Sequence, residues 1–164
     1  NWSKTALPWM SIGYETQIPP ISTLTFYNAI ANGGKMMRPR FVKQVVKNGE
    51  VLHSYEPVMM IPQICKTSTL EKVRILLEHV VSRGTGKAAR SQLFRVAGKT
   101  GTAQNAHGDD HALFAGYAPA EAPRYVVVAI VEAGKHGSSV TSPIVGELLA
   151  HMLSHASSEG EKKE

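Results

Sequence analysis

Seven consecutive residues, Tyr125–Val131 (Tyr-Val-Val-Val-Ala-Ile-Val), carry no charge and form the longest unbroken apolar run in the chain. A Val-rich run this short, apolar on both alternating faces, reads as a strand buried at the centre of a sheet. It falls far short of the roughly 20 apolar residues a membrane helix needs. The whole chain has 164 residues, 43% of them hydrophobic, which is enough for the core of one domain and excludes a disordered or collagen-like polymer.

The neighbours of that run complete a sheet. His111–Ala118 reads as a second strand, joined to the first through the turn Pro119–Pro123, so the two pair as a hairpin. Gln92–Ala97 reads as a third, shorter strand. Ser142 and Pro143 look like an N-cap and first helical residue. Ile144, Val145, Leu148, Leu149, Met152 and Leu153 then recur at helical spacing, predicting a closing helix packed on the sheet. In the first half, Ile21–Ala31 has helical periodicity and stops at Gly33-Gly34. Phe41–Val46 and Val51–Tyr55 flank Asn48-Gly49, the dipeptide of a tight hairpin turn. Ser68 and Glu71 have capping-box spacing ahead of Leu70, Val73, Leu76, Leu77, Val80 and Val81, a helix expected to end at Arg83-Gly84. The fold class is therefore α/β, or α+β in stricter terms: an antiparallel sheet with packed helices. The domain spans residues 1–155, and 156–164 is a frayed polar tail in which Lys162-Lys163 is solvated.

Net charge is +5, from 18 Lys+Arg against 13 Asp+Glu, but the basic residues are dispersed and never run four together, so nucleic acid is not expected as a partner. The lone Cys65 permits no internal disulfide and reads as a small buried apolar residue. Met36-Met37 and Met59-Met60 read as core filler or partner surface. Asn1-Trp2-Ser3-Lys4 is no secretory leader, and the start reads as a cut.

Chemistry concentrates at Gly98-Lys99-Thr100-Gly101-Thr102, read as following the Gln92–Ala97 strand. A phosphate-binding P-loop would need Gly five residues before Gly98, and position 93 is Leu. Gly84-Thr85-Gly86-Lys87-Ala88-Ala89 fits a loose dinucleotide fingerprint, but it follows a helix and lacks a βαβ unit. What remains is a Lys-Thr-Gly strand beside an acyl-transfer site, a motif of penicillin-binding proteins and serine β-lactamases. In that reading Lys99 presents a fixed positive charge to a substrate carboxylate, and the Thr100 and Thr102 hydroxyls hydrogen-bond it. Gly101, without a Cβ, lets a substrate backbone lie along the strand edge. The Thr102 N–H is one of two oxyanion donors.

The surrounding segments carry a resemblance. Val96–Gln104 resembles the third active-site motif of class B penicillin-binding proteins, the monofunctional peptidoglycan transpeptidases. Gly84–Ala89 resembles the glycine-rich loop before that strand. Gly13-Tyr14, Pro20, Ala29–Gly34 and Arg38-Pro39 are similar to an earlier segment, and Ala112–Pro119 to the next strand. The resemblance runs from about Gly13 to Leu153 in the right order. It implies three of the five strands of a transpeptidase sheet, no cofactor, and a parent that cross-links peptidoglycan stem peptides through a serine ester. β-Lactams would acylate that same serine. The parent would be anchored in the cytoplasmic membrane with this domain on the periplasmic side, and its protein partners would belong to the division or elongation machinery.

One departure is decisive for chemistry. The family's nucleophile motif, Ser-x-x-Lys, does not occur in these 164 residues, and neither does Ser-x-Asn. Thr69-Leu-Glu-Lys72 is the nearest approach, and Thr69 reads more simply as part of a helix cap. The chain is thus expected to be the C-terminal part of a transpeptidase domain, inactive alone, and prone to self-association through a bare sheet edge or apolar face. Its rivals are a serine β-lactamase or carboxypeptidase of the same superfamily and a non-catalytic scaffold module. His107, Asp109, Asp110 and His111 contain metal-ligating side chains, but a polar loop between strands explains them and no metal is expected. By the resemblance, His107 or Asp109 borders the cleft and influences substrate entry. Tyr14 and Glu15 read as helix-loop packing and surface.

Overall fold

A computed structural model describes residues 3–14, 16–105 and 107–160, with side chains as far as His155. Glu15, read as surface, and Lys162-Lys163, read as a solvated tail, lie outside the described residues. The chain opens with a short helix, α1 (Ala6–Met10), which no periodicity announced. Helix α2 (Pro20–Ala31) starts on a proline whose missing N–H costs nothing at a helix start, and it ends before Gly33 and Gly34, at φ 66° and 93°. Four short strands follow: β1 (Met36–Met37), β2 (Gln44–Lys47), β3 (Glu50–Ser54) and β4 (Met59–Ile61). β1 pairs with β4, and β2 with β3 around Asn48 and Gly49 at φ 53° and 83°, the left-handed pair that a two-residue hairpin turn requires. Then come α3 (Thr67–Ser82), a single 3-10 turn (Lys87–Ala89), β5 (Ala97–Ala103), β6 (His111–Ala118), β7 (Tyr125–Val131) and α4 (Thr141–Gly160). The architecture is the expected mixture of antiparallel sheets and helices.

Several expectations about boundaries and roles are corrected. The third strand is Ala97–Ala103 and not Gln92–Ala97: the Lys-Thr-Gly motif lies on the strand, not after it. Pairing decides this, because Ala97 opposes Tyr117 and the ladder stops where Pro119, with no N–H, follows β6. Residues 92–94 instead form bends, with Leu93 donating its N–H to Ser91 Oγ. Among the described residues β6, not Tyr125–Val131, is the central strand; β7 pairs on one side only, and its residues are partly covered because α4 and α2 pack against it. Ser68, Glu71 and Thr69 form no cap: α3 begins at Thr67, its N-cap is Lys66, and no side chain caps it. Ser142 is no cap acceptor either. Buried Thr141 and Ser142 both donate their hydroxyls to the Gly137 carbonyl, at 3.0 Å each, and Pro143 is two residues inside α4. α4 runs on to Gly160, into the segment read as a tail. The first hairpin strand is shorter than expected, with Phe41 exposed outside it, and the second keeps its expected length but starts one residue earlier. Cys65 is half-buried, and Met59 and Met60 are exposed and so not core filler.

The core has two layers, one on each face of the β5-β6-β7 sheet. Strand alternation sends Phe114, Ala118 and Val127 to one face, where they meet Val145 and Leu149 of α4, Ala89 of the 3-10 turn and Val81. Ala97 and Tyr117 go to the other, against Ile30 of α2 and Leu70 and Leu77 of α3. Arg74 of α3 locks this second layer by donating Nε and Nη2 to the carbonyls of Ile30 and Ala31 at the end of α2, at 3.1 and 2.6 Å. That satisfies acceptors a helix end otherwise leaves open.

The Tyr117 hydroxyl is fully buried, and among the described residues it makes no hydrogen bond of normal geometry, although the Arg74 side chain lies close to it. Burial pushes its phenol above the usual 10.0, and the nearby Arg74 opposes the shift only in part. Tyr117→Phe is therefore expected to be neutral or stabilising at pH 7, since it removes a buried polar atom rather than a bond. A phenol with a raised folded-state pKa contributes stability that is complete below its unfolded value and lost as pH rises through the folded one. The variant should accordingly resist alkali better than the parent above about pH 10. Urea unfolding at pH 7 and pH 11 checks both; a loss above about 1 kcal/mol at pH 7 would mean that the hydroxyl is bonded after all.

Candidate functional site

β5 is an edge strand. One side pairs with β6 in unbroken register from Ala97↔Tyr117 to Ala103↔His111, and no described strand pairs with the other. Its first half is shaped by Phe114, whose ring lies across the sheet between two glycines. A Cβ built on Gly98 would stand 2.6 Å from that ring and 2.7 Å from the Ala115 carbonyl oxygen, and one on Gly116 would stand 2.7 Å from the same ring. Only glycine fits at either place.

Lys99 is exposed, and its Nζ turns back along the strand to donate to the Thr100 carbonyl at 2.5 Å, lying 3.5 Å from Thr100 Oγ1. That reach puts the Thr100 carbonyl on the unpaired side of β5, and the two-residue repeat of a strand puts the backbone N–H of Thr102 on the same side. Side chains alternate: Lys99 and Gly101 share a face with Ala115 and Leu113, Thr100 and Thr102 with Phe114 and Ala112. Thr100 is only 8% exposed, whereas Thr102 is exposed. At Gly101 an added Cβ would meet little besides Leu113 Cβ at 3.3 Å, so this stretch of the strand is open to a neighbour.

A cleft of about 350 Å³ runs beside the second half of β5, walled by Gly101, Thr102, Ala103, Gln104 and Leu113 on one side and Ile12, Gly13, Tyr14 and Thr16 on the other. The Tyr14 hydroxyl donates to Gln104 Oε1 at 2.5 Å, and its ring meets Trp9 edge-on at 5.2 Å. Tyr14, read as helix-loop packing, thus also lines the cleft and bridges its two walls. Nothing in the spacing links positions 14 and 104, so the sequence offered no signal for it. Thr85 was missed too: its Oγ1 lies 2.6 Å from Thr100 Oγ1. The Gly84–Ala89 segment was noticed for its glycines, and only the fold brings its threonine to the strand.

The His107–His111 loop is satisfied locally. Asp110 Oδ1 accepts the Asn105 N–H at 3.2 Å, His111 Nδ1 accepts the Ala133 N–H at 3.1 Å, and Asp109 pairs with Lys135 at 3.8 Å. Among the described residues no three His, Cys, Asp or Glu side chains converge as metal ligands would. No described helix is long and apolar enough to cross a membrane.

The chain is similar to known proteins over most of its length. The family model for the penicillin binding protein transpeptidase domain matches residues 1–150. Stage V sporulation protein D of Bacillus subtilis is 31% identical over 155 residues, covering 87% of this chain and 24% of its own. Peptidoglycan D,D-transpeptidase MrdA of Haemophilus influenzae is 32% identical over 170 residues, covering 92% and 26%. Among solved structures, the D,D-transpeptidase domain of a peptidoglycan glycosyltransferase from Eggerthella lenta superposes with a TM-score of 0.73 at 36% identity, over 84% of this chain and 33% of that one. The chain spans about a quarter of the length of the curated relatives it matches.

Proposed function

Because the chain belongs to the penicillin-binding protein transpeptidase family, we propose that it supplies the substrate-holding strand of a peptidoglycan D,D-transpeptidase. Its parent cross-links stem peptides through a serine ester and is acylated by β-lactams. The observation that carries the reading is the open edge of β5 with Lys99, Thr100, Gly101 and Thr102 in line along it. A peptide ending in a carboxylate lies along that edge as an added strand. Lys99 supplies the positive charge that meets the carboxylate and the Thr102 hydroxyl donates to it, while the nearly buried Thr100 hydroxyl is engaged with that of Thr85. Gly101 keeps the approach clear. The Thr102 N–H, on the unpaired side, is one of two donors to the oxyanion that forms when a serine oxygen adds to the substrate carbonyl.

The serine itself is supplied by residues outside these 164, among which Ser-x-x-Lys does not occur. By itself the chain binds at most and forms no acyl-enzyme. We place the parent in the cytoplasmic membrane with this domain on the periplasmic side, working with division or elongation proteins. The exposed apolar residues of the β2–β3 hairpin, among them Val45, Val46, Val51 and Leu52, support association of the isolated chain with itself. Intact-mass spectrometry after incubation with a fluorescent penicillin tests the reading. The intact protein should gain one penicilloyl group and the isolated chain none. An intact protein that gains nothing would point to a scaffold module, and a stoichiometric gain on the isolated chain would place the nucleophile within it.

A further inference from the structure

The hydroxyls of Thr85 and Thr100 lie 2.6 Å apart, a distance at which one of their two protons sits between them and the other is left to donate elsewhere. The surroundings decide which. Lys99 Nζ, a donor with no acceptor capacity, lies 3.5 Å from Thr100 Oγ1, which favours that oxygen as the acceptor facing the ammonium and as the donor to Thr85. Thr100 is nearly buried, whereas Thr85 is exposed, so the remaining O–H is the one on Thr85. The three groups form a polarised row, from ammonium to Thr100 to Thr85, in which each donor strengthens the next.

The loop that carries Thr85 is held to this position from both sides. The Gly84 N–H donates to the carbonyls of His79 and Val80 at 3.0 and 3.1 Å, and the Gly86 N–H to Val80 at 2.9 Å, so the end of α3 pins the turn. A Cβ on Gly84 would stand 2.9 Å from the Val80 carbonyl oxygen. One on Gly86 would press on the ring of Phe114, the residue directly across the sheet from Thr100. The glycine pair therefore sets Thr85 on the face of the sheet where the Thr100 side chain lies.

We propose that Thr85 is a further substrate-binding residue: its hydroxyl is the terminal donor to the carboxylate of the ligand held along β5. This rests on the transpeptidase reading above and adds to it a contact from the glycine-rich loop. The test uses the intact protein and two probes, benzylpenicillin and its methyl ester, which differ only in whether a carboxylate is present to be bound. Thr85→Val should slow acylation by benzylpenicillin roughly tenfold while changing the ester's rate less than about twofold, and Thr85→Ser should restore the difference. A loss shared equally by acid and ester, or no loss, would overturn the proposal and leave Thr85 as a scaffold residue of the loop. Wild-type protein that neither probe acylates would overturn the transpeptidase reading itself.

Discussion

Replacing Gly98 by alanine should cost about 3 kcal/mol of stability, more than any other single-methyl change on β5. The added carbon would stand 2.6 Å from the Phe114 ring and 2.7 Å from the Ala115 carbonyl oxygen, well inside van der Waals contact. Neither neighbour can yield easily. Phe114 is fully buried and also abuts Gly86 and Gly116, and Ala115 belongs to the central strand. Overpacking a core by one methyl generally costs about 1–3 kcal/mol, and a clash with backbone lies at the upper end. For a domain of this size that is a fall in melting temperature of roughly 6–12 °C. Phe114→Leu combined with Gly98→Ala should cost less than the sum of the two single changes, because the smaller side chain vacates the space the methyl needs. Gly101→Ala, with Leu113 Cβ at 3.3 Å as its nearest neighbour, should be far milder. A silent Gly98→Ala would mean that the Phe114 ring does not lie across β5.

How much of this was legible beforehand depends on whether the information was local. The α2 and α3 helices, the Asn48-Gly49 hairpin and the β6–β7 pair came from periodicity and turn chemistry, which act over a few residues. The Lys-Thr-Gly motif was found by the order of its neighbours along the chain. What misled were features that only tertiary structure settles. Tyr125–Val131 reads as a central strand because it is apolar on both faces, yet among the described residues it has a strand on one side only, and α4 and α2 cover its faces. Ser142 has the chemistry of an N-cap acceptor, but the Gly137 carbonyl captures its hydroxyl as a donor. The strand around the motif was placed five residues too early because apolar residues at 94, 96 and 97 mimic a strand, whereas pairing with β6 fixes its start at Ala97. Tyr14 and Thr85 reach the site across 90 and 15 residues of chain, and no spacing rule connects such positions.

Lys99→Ala, made in the intact protein, should slow acylation by a carboxylate-bearing β-lactam roughly ten- to a hundredfold. The ammonium stands at the open edge of β5, bonded among the described residues only to the neighbouring Thr100 carbonyl and hydroxyl, so its charge is available to a ligand. A charge-assisted hydrogen bond of this kind is worth about 1.5–3 kcal/mol, and about 1.4 kcal/mol corresponds to a tenfold change. Folding should hardly notice. Lys99 is exposed and forms no ion pair among the described residues, and surface changes of this sort stay within about 0.5 kcal/mol. Lys99→Arg keeps the charge but replaces a compact ammonium by a planar fork, and should recover only part of the rate. The central claim, that β5 grips the anionic end of a substrate, is tested most directly by measuring acylation rate and melting temperature on one Lys99→Ala sample. A rate lowered at least tenfold with an unchanged melting temperature is the expected result. An unchanged rate, or a rate that falls only in step with stability, would contradict it.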